Sequence, residues 1–281
     1  MTKPSWQDFG TFDESAYPEL WDGVVGAWAP CLGPTGLRLH DHSRGMRWGT
    51  LTNMDAATDW LVTAGQYALD CDGVDDYIAA GSLPDFTGDF TLSAWGYVYS
   101  VDTGVDAVLV RSTNVFGGAA RSGITLVMRD AFSSATTERI GCEITDGLTR
   151  YHIESAAGYA RDTWHHVLCR RQAGVFSLWI NGVAETTTQT FTGTVTNNTD
   201  TYIGAVIDYQ GGVSTLRRRV DSVVAHTRAL SAGEIRQLYL LGRGGMYQRR
   251  RRTLRRVAVE QGAAFKAYWA RRQNQIIGGG V

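Results

Sequence analysis

The chain of 281 residues carries 43% hydrophobic and 20% charged residues at a net charge of −1, the profile of an ordinary globular protein. No apolar run nears the roughly 18 residues of a bilayer span, so membrane insertion is not expected. No early segment joins a basic start to an apolar core and a small-residue cleavage site, so we expect synthesis in the cytoplasm without a signal peptide. Glycine is abundant at 33 and proline sparse at 5, and nine tryptophans are many for this length. Gly-rich turns between short aromatic and β-branched runs point to an all-β protein.

In chain order, residues 1–22 hold Pro4, Gly10 and Pro18 without periodicity and read as an extended arm. A strand is predicted at 24–28, then a turn-rich stretch. From 67 to 242 short strands alternate with turn residues, at 67–71, 77–80, 90–98, 107–111, 124–129, 139–144, 151–155, 164–170, 176–180, 201–203 and 219–227. Apolar residues alternate in Phe90, Leu92 and Ala94, so one face of that strand is buried. Asn181-Gly182 is a hairpin turn, because both residues tolerate positive φ. Strands this short and numerous make a two-sheet sandwich or a barrel. Ser231 and Glu234 form a capping box for one helix, whose buried face carries Ile235, Leu238 and Tyr239 and whose end is Gly242. Phe265 and Trp269, four apart, line a second short helix in a tail that spans 242–281.

Charge is unevenly spread. From Gly242 onward ten basic residues face one acid, so the tail carries +9 and the rest of the chain −10. The run Arg249, Arg250, Arg251, Arg252, Arg255 and Arg256 can dock on the acidic body of a neighbouring copy, since guanidinium forks match carboxylates. Phosphate binding is the competing reading, but no aromatic-basic platform accompanies the run, and nucleic acid is not the expected partner. The four cysteines form no close pair, which excludes a zinc site. Cys71, Cys142 and Cys169 fall in predicted strands as buried thiols, with a disulfide as the alternative.

Four segments in order resemble the laminin-G-like, concanavalin A-like jelly-roll family: 67–78 (YALDCDGVDDYI), 90–95 (FTLSAW), 162–167 (DTWHHV) with 178–182 (LWING), and 220–235 (VDSVVAHTRALSAGEI). The resemblance covers roughly 24–241, although Cys71 stands where the family usually has phenylalanine. It implies a jelly-roll sandwich over 23–241. It also implies possible ligands for calcium at the turn Asp72, Asp75 and Asp76 together with Asp221 on the closing strand. Calcium wants six to eight oxygens, and simple turn capping competes with it. The flanks 26–28 (GAW), 33–36 (GPTG), 49–55 (GTLTNMD) and 265–280 (FKAYWARRQNQIIGGG) resemble jelly-roll proteins of tailed bacteriophages and prophages. That resemblance implies a virion structural protein, in the capsid surface layer or the tail, whose partners are other virion proteins and copies of itself.

Catalysis is not expected. Retaining glycosidases need two carboxylates about 5–5.5 Å apart, and the nearest approach, Glu143 and Asp146, puts its acids on opposite faces of a strand. His165 and His166 have no nucleophile beside them, and one packed and one surface histidine is expected. A carbohydrate-binding adhesion module is the alternative function, with host-surface glycans as ligands. Trp28, Trp95, Trp164 and Trp179 fall in strands and are assigned to the core. Trp21, Trp48 and Trp60 lie in looser regions and are the candidate glycan contacts.

Overall fold

The computed structural model describes residues 17–100, 106–112, 122–129, 137–197, 200–207, 213–214 and 217–247. The chain opens with α1 (Pro18–Trp21), β1 (Val24–Trp28) and a 3-10 turn at Pro30–Leu32. β2 (Arg38–Leu39), β3 (Gly49–Thr52), β4 (Trp60–Thr63), β5 (Gln66–Cys71), β6 (Tyr77–Ala80) and β7 (Phe90–Val98) follow. Next come β8 (Asp106–Arg111), β9 (Ser122–Arg129), β10 (Thr137–Asp146), β11 (Arg150–Glu154), β12 (Tyr159–Ala160), β13 (His165–Gln172), β14 (Val175–Ile180) and β15 (Val183–Thr190). β16 (Thr201–Ile203), β17 (Val206–Ile207), β18 (Val213–Ser214), β19 (Arg218–His226) and α2 (Ala232–Leu241) end the described chain, with a 3-10 turn at Gly245–Tyr247.

Two antiparallel sheets make a sandwich, as expected. The first runs β15-β14-β13-β7-β19-β5-β4, with β1 also on β19. The second runs β11-β10-β9-β8-β16-β6-β3-β2, with β12 on β10. The alternation in β7 sets the layering. Phe90, Leu92, Ala94 and Val98 point into the core between the sheets, where they meet Leu109, Ile124, Leu126 and Met128 of the second sheet. Thr91, Ser93, Trp95, Tyr97 and Tyr99 therefore face the other way, onto the outer side of the first sheet.

Part of that outer side is covered. The Ser231 capping box forms, and α2 lays Ile235 and Leu238 on Leu168, Trp179 and Val224 of the sheet. Leu20 and Trp21 of α1 and Met246 and Tyr247 of the last turn join the same cluster. Residues 17–22 and 242–247, assigned by sequence to an arm and a tail, are thus packed on the sandwich. The cover also corrects the histidine expectation, because both are buried: His165 under Tyr159, and His166 beneath Trp95 on the covered face.

Cys71, Cys142 and Cys169 are buried free thiols. Arg171 is enclosed between Phe90 and Phe191, each 5.2 Å from its guanidinium, and donates to the carbonyls of Phe86 and Gly193. No helix among the described residues is long and apolar enough to cross a membrane.

Candidate functional site on the outer face of the first sheet

Strand register assembles a polar-aromatic platform from five separate segments. Arg219 pairs with Asp70 on one side and Tyr97 on the other. His165 pairs with Gly96, so Trp164, one residue earlier, falls level with Tyr97. The result is a row Asp70, Arg219, Tyr97, Trp164 across four strands. One step toward the strand ends, Arg218 pairs with Val98, which sets Arg217 level with Tyr99. Strand spacing gives the platform about 14 Å by 7 Å. Arg243, carried by the segment after α2, adds a third guanidinium 4.1 Å from the Trp164 ring centre.

Contacts within the platform are dense. Arg217 lies 4.4 Å from the Tyr99 ring centre, and Arg219 lies 4.9 Å from those of both Tyr97 and Tyr99. Asp70 takes the Tyr99 hydroxyl on both oxygens at 2.8 and 2.9 Å and pairs with Arg217 at 3.5 Å and Arg219 at 3.7 Å. Burial, and then the bond to Asp70, push the Tyr99 hydroxyl up to about 12. Asp162 holds the left-handed region at φ +54°, which aspartate tolerates better than most residues. It accepts from the Ser100 amide at 3.1 Å and the Tyr97 hydroxyl at 3.4 Å, and its carboxyl is held below its ordinary range chiefly by Ser100. Tyr97, Tyr99 and Trp164 are half-buried, and the Arg217 side chain is 46% exposed.

The expected site residues are scattered. Asp72, Asp75 and Asp76 do converge, with ligand oxygens within 4.8 Å of one another, at the strand end two residues beyond Asp70. Two of the three carboxylates cap the turn: Asp76 accepts from the Asp72 amide at 2.9 Å and Asp72 from the Val74 amide at 2.7 Å. Burial raises Asp76 to about 6, opposed by that amide bond and aided by Asp72, Asp59 and Asp75. Three carboxylates, two of them already engaged in capping, fall short of a calcium shell and fit a capped turn.

Asp221 does not join them. Val220 pairs with Leu69, so Asp221 sits about 13 Å along the sheet from Asp72. There it is buried, accepts from Ser222 at 2.9 Å and faces Arg243 at 3.7 Å.

Two of the tryptophans assigned to glycan contact are also corrected. Trp21 is buried because Pro18 starts a helical turn that carries it under Tyr247, and Trp60 is buried because β4 pairs with β5 and turns it into the core. Trp48 is 37% exposed beside His40, on the opposite sheet's β2–β3 corner. Trp164, assigned to the core, is instead part of the platform. Arg249, Arg250, Arg251, Arg252, Arg255, Arg256, Phe265 and Trp269 lie outside the described residues.

The sequence holds the signal for the platform in retrospect. Trp95, Tyr97 and Tyr99 alternate along the outward face of β7 and the residue after it, and Arg217, Arg219 and Asp221 alternate along β19 and the residue before it.

A search of curated proteins gives no match. Among solved structures, the chain is similar to the binding domain of Paraclostridial Mosquitocidal Protein 1, at TM-score 0.56 and 15% identity over 78% of this chain and 52% of that one. It is similar to the Botulinum neurotoxin serotype D binding domain at TM-score 0.57 and 14% identity, over 80% and 52%. It also matches Trypanosoma rangeli sialidase in complex with sialic acid at TM-score 0.53 and 18% identity, over 78% and 33%. The chain spans about half of the two binding domains and a third of the sialidase, and at these identities the likeness is one of fold. The laminin G-like family profile, described as the concanavalin A-like lectin/glucanases superfamily, matches residues 72–236, more than half of the sequence. With its two antiparallel sheets in register around one core, the chain belongs to that superfamily.

Proposed function

We propose that the protein is a non-catalytic, lectin-like recognition module that holds a saccharide against Tyr97, Tyr99, Trp164 and the arginines beside them. The observation that carries this reading is the juxtaposition of three half-buried aromatic rings, the guanidiniums of Arg217 and Arg219 and two carboxylates on one partly exposed face, with the buried Arg243 guanidinium beside Trp164. Sugar sites need apolar surface for the ring and a few oriented polar groups for the hydroxyls, and the platform offers both. The absence of catalysis is supported by the state of the nearest acid pair. Glu143 is bonded to Arg150, while Asp146 caps the Leu148 and Thr149 amides at 2.9 and 2.7 Å and is lowered by them. Printed glycans probed with the wild-type chain and with Trp164→Ala test the proposal. Specific binding that the substitution weakens supports it, and a blank array, or binding indifferent to Trp164, removes it. Release of reducing sugar from any bound glycan would remove the non-catalytic part.

The charge asymmetry of +9 beyond Gly242 against −10 elsewhere favours a second reading, compatible with the first. Here the module is carried on a bacteriophage particle, on the capsid surface or the tail, and its basic C-terminal segment docks on neighbouring copies. Light scattering at low and high salt tests this on the full chain and on a chain ending at Gln248, which spares the packed residues 242–247. Salt-sensitive oligomers lost on truncation support it, and monomers throughout reject self-docking.

A further inference from the structure

We infer that residues 242–247 are a working part of the platform and that Arg243 is its positioning residue, holding the Trp164 ring where a saccharide meets it. The inference rests on the saccharide reading above and deepens it. The family profile ends at residue 236, so the segment lies beyond the matched part of the fold.

β19 departs from regularity to receive this segment. Asp221 and Ser222 are consecutive, and in a regular strand their side chains would point to opposite faces. The pairing of β19 with β7 shifts register between Asp221 and Val224, and Ser222 takes φ +49°. Bulges re-aim side chains, and a non-glycine residue at positive φ persists only where its surroundings hold it. Here the Ser222 hydroxyl donates to Asp221 at 2.9 Å and accepts the Gly244 amide at 2.8 Å. The Asp221 carboxylate faces Arg243 at 3.7 Å, and both seat residues are buried.

Both terminal nitrogens of Arg243 are engaged in fixing it. Nη2 donates to the Thr63 carbonyl at 2.6 Å, at the end of β4, and Nη1 faces Asp221. The guanidinium is therefore a support and not a receptor for a ligand. It lies over the Trp164 ring, 4.1 Å from the centre. Trp164 stands one residue ahead of β13, and no hydrogen bond among the described residues fixes its indole. The rings and cations against it there are Tyr97, at 5.7 Å, and Arg243. A buried guanidinium tied to two strands and stacked on a half-buried indole orders that ring before a ligand arrives.

The test uses the full chain labelled with fluorotryptophan, the Trp164 signal being assigned from Trp164→Phe, and the same proteins titrated on printed glycans. Arg243→Gln alone strands a buried carboxylate, so it is combined with Asp221→Asn to leave a neutral pair. Arg243→Lys keeps the charge opposite Asp221 and loses the guanidinium plane. Circular dichroism checks both folds. In both variants the Trp164 fluorine signal should move and broaden, and half-saturation on glycan should rise about fivefold. A chain ending at Gln248 keeps the segment without the basic run, and should keep the wild-type signal and half-saturation. A Trp164 signal unmoved in both variants overturns the inference, and so does a moved signal with unchanged glycan binding. Loss of binding in the chain ending at Gln248 also overturns it, since the basic segment would then be the receptor. Wild type that binds no printed glycan overturns the saccharide reading itself, and the role of Arg243 in recognition falls with it.

Discussion

Asp221→Asn converts a buried carboxylate into a neutral isostere, and its effect depends on pH in a direction the structure fixes. Asp221 is 3% exposed. Burial raises its carboxyl from 3.8 to about 7, although Ser222 and Arg243 pull the other way. A carboxyl raised in the folded state binds its proton more tightly there than in the unfolded chain. The wild type therefore loses stability as pH climbs from about 4 to about 7, relative to a protein with no titrating group at this site. Three units at 1.36 kcal/mol each set the change on the order of 4 kcal/mol. Urea denaturation of both proteins at half-unit steps from pH 4.5 to 8 isolates this term, because every other titrating group cancels in the difference. The asparagine variant should match the wild type near pH 4.5 and gain on it steadily, leading by several kcal/mol at pH 8. A gap that stays constant over the whole range would refute the reasoning, for it would mean that Arg243 keeps Asp221 ionised throughout.

Three buried histidines act in the opposite sense. His42, His166 and His226 are each lowered from 6.5 to about 4 by burial, so each contributes stability above pH 6.5 that is lost as pH falls toward 4. At about 3 kcal/mol apiece they outweigh Asp221, and far-UV circular dichroism should show acid unfolding between about pH 4 and 5.5. Ser231→Ala removes the N-cap and strands Glu234, so thermal melting should fall by about 1 kcal/mol, or roughly 2–4 °C. Gly96→Ala would set a Cβ 2.4 Å from Leu109 Cδ2 and 2.9 Å from Met128 Sδ, and should cost about 1–3 kcal/mol in urea. Gly88→Ala, with nothing within 4 Å, should leave the same midpoint unchanged and serves as its control.

The strands that the sequence makes legible are those with an apolar inward face. β1, β6, β7 and β16 appear at the expected residues, and most others shift by one or two at their ends. β15 was missed despite the correct turn before it. Its residues, Val183–Thr190, lie on the sheet edge almost wholly exposed, so no buried stripe marks them. β4 holds a single buried residue, Trp60, and so displays no stripe, and β3 follows a turn-rich stretch that hides it. The platform was missed for another reason. Asp70, Tyr97, Trp164, Arg219 and Arg243 lie on segments far apart in sequence, and only the pairing register makes them neighbours. Of the three tryptophans that the sequence places in looser regions, Trp48 is the one that stays partly exposed, on a sandwich corner.

The closeness of the two ends of the described body carries a consequence for how the module is mounted. Trp21 and Tyr247 rings meet at 5.7 Å, and the Leu20 carbonyl is held at 2.9 Å by His226, the last residue of β19. Arg217 stands just before the first residue of that strand, roughly 30 Å away. The polypeptide thus enters and leaves near one end of a rigid lever, and the arginine-lined face rides toward the other. Such a body can be spliced into a larger scaffold at a single point without stretching either connection. The platform is then held out at the full length of the sheet.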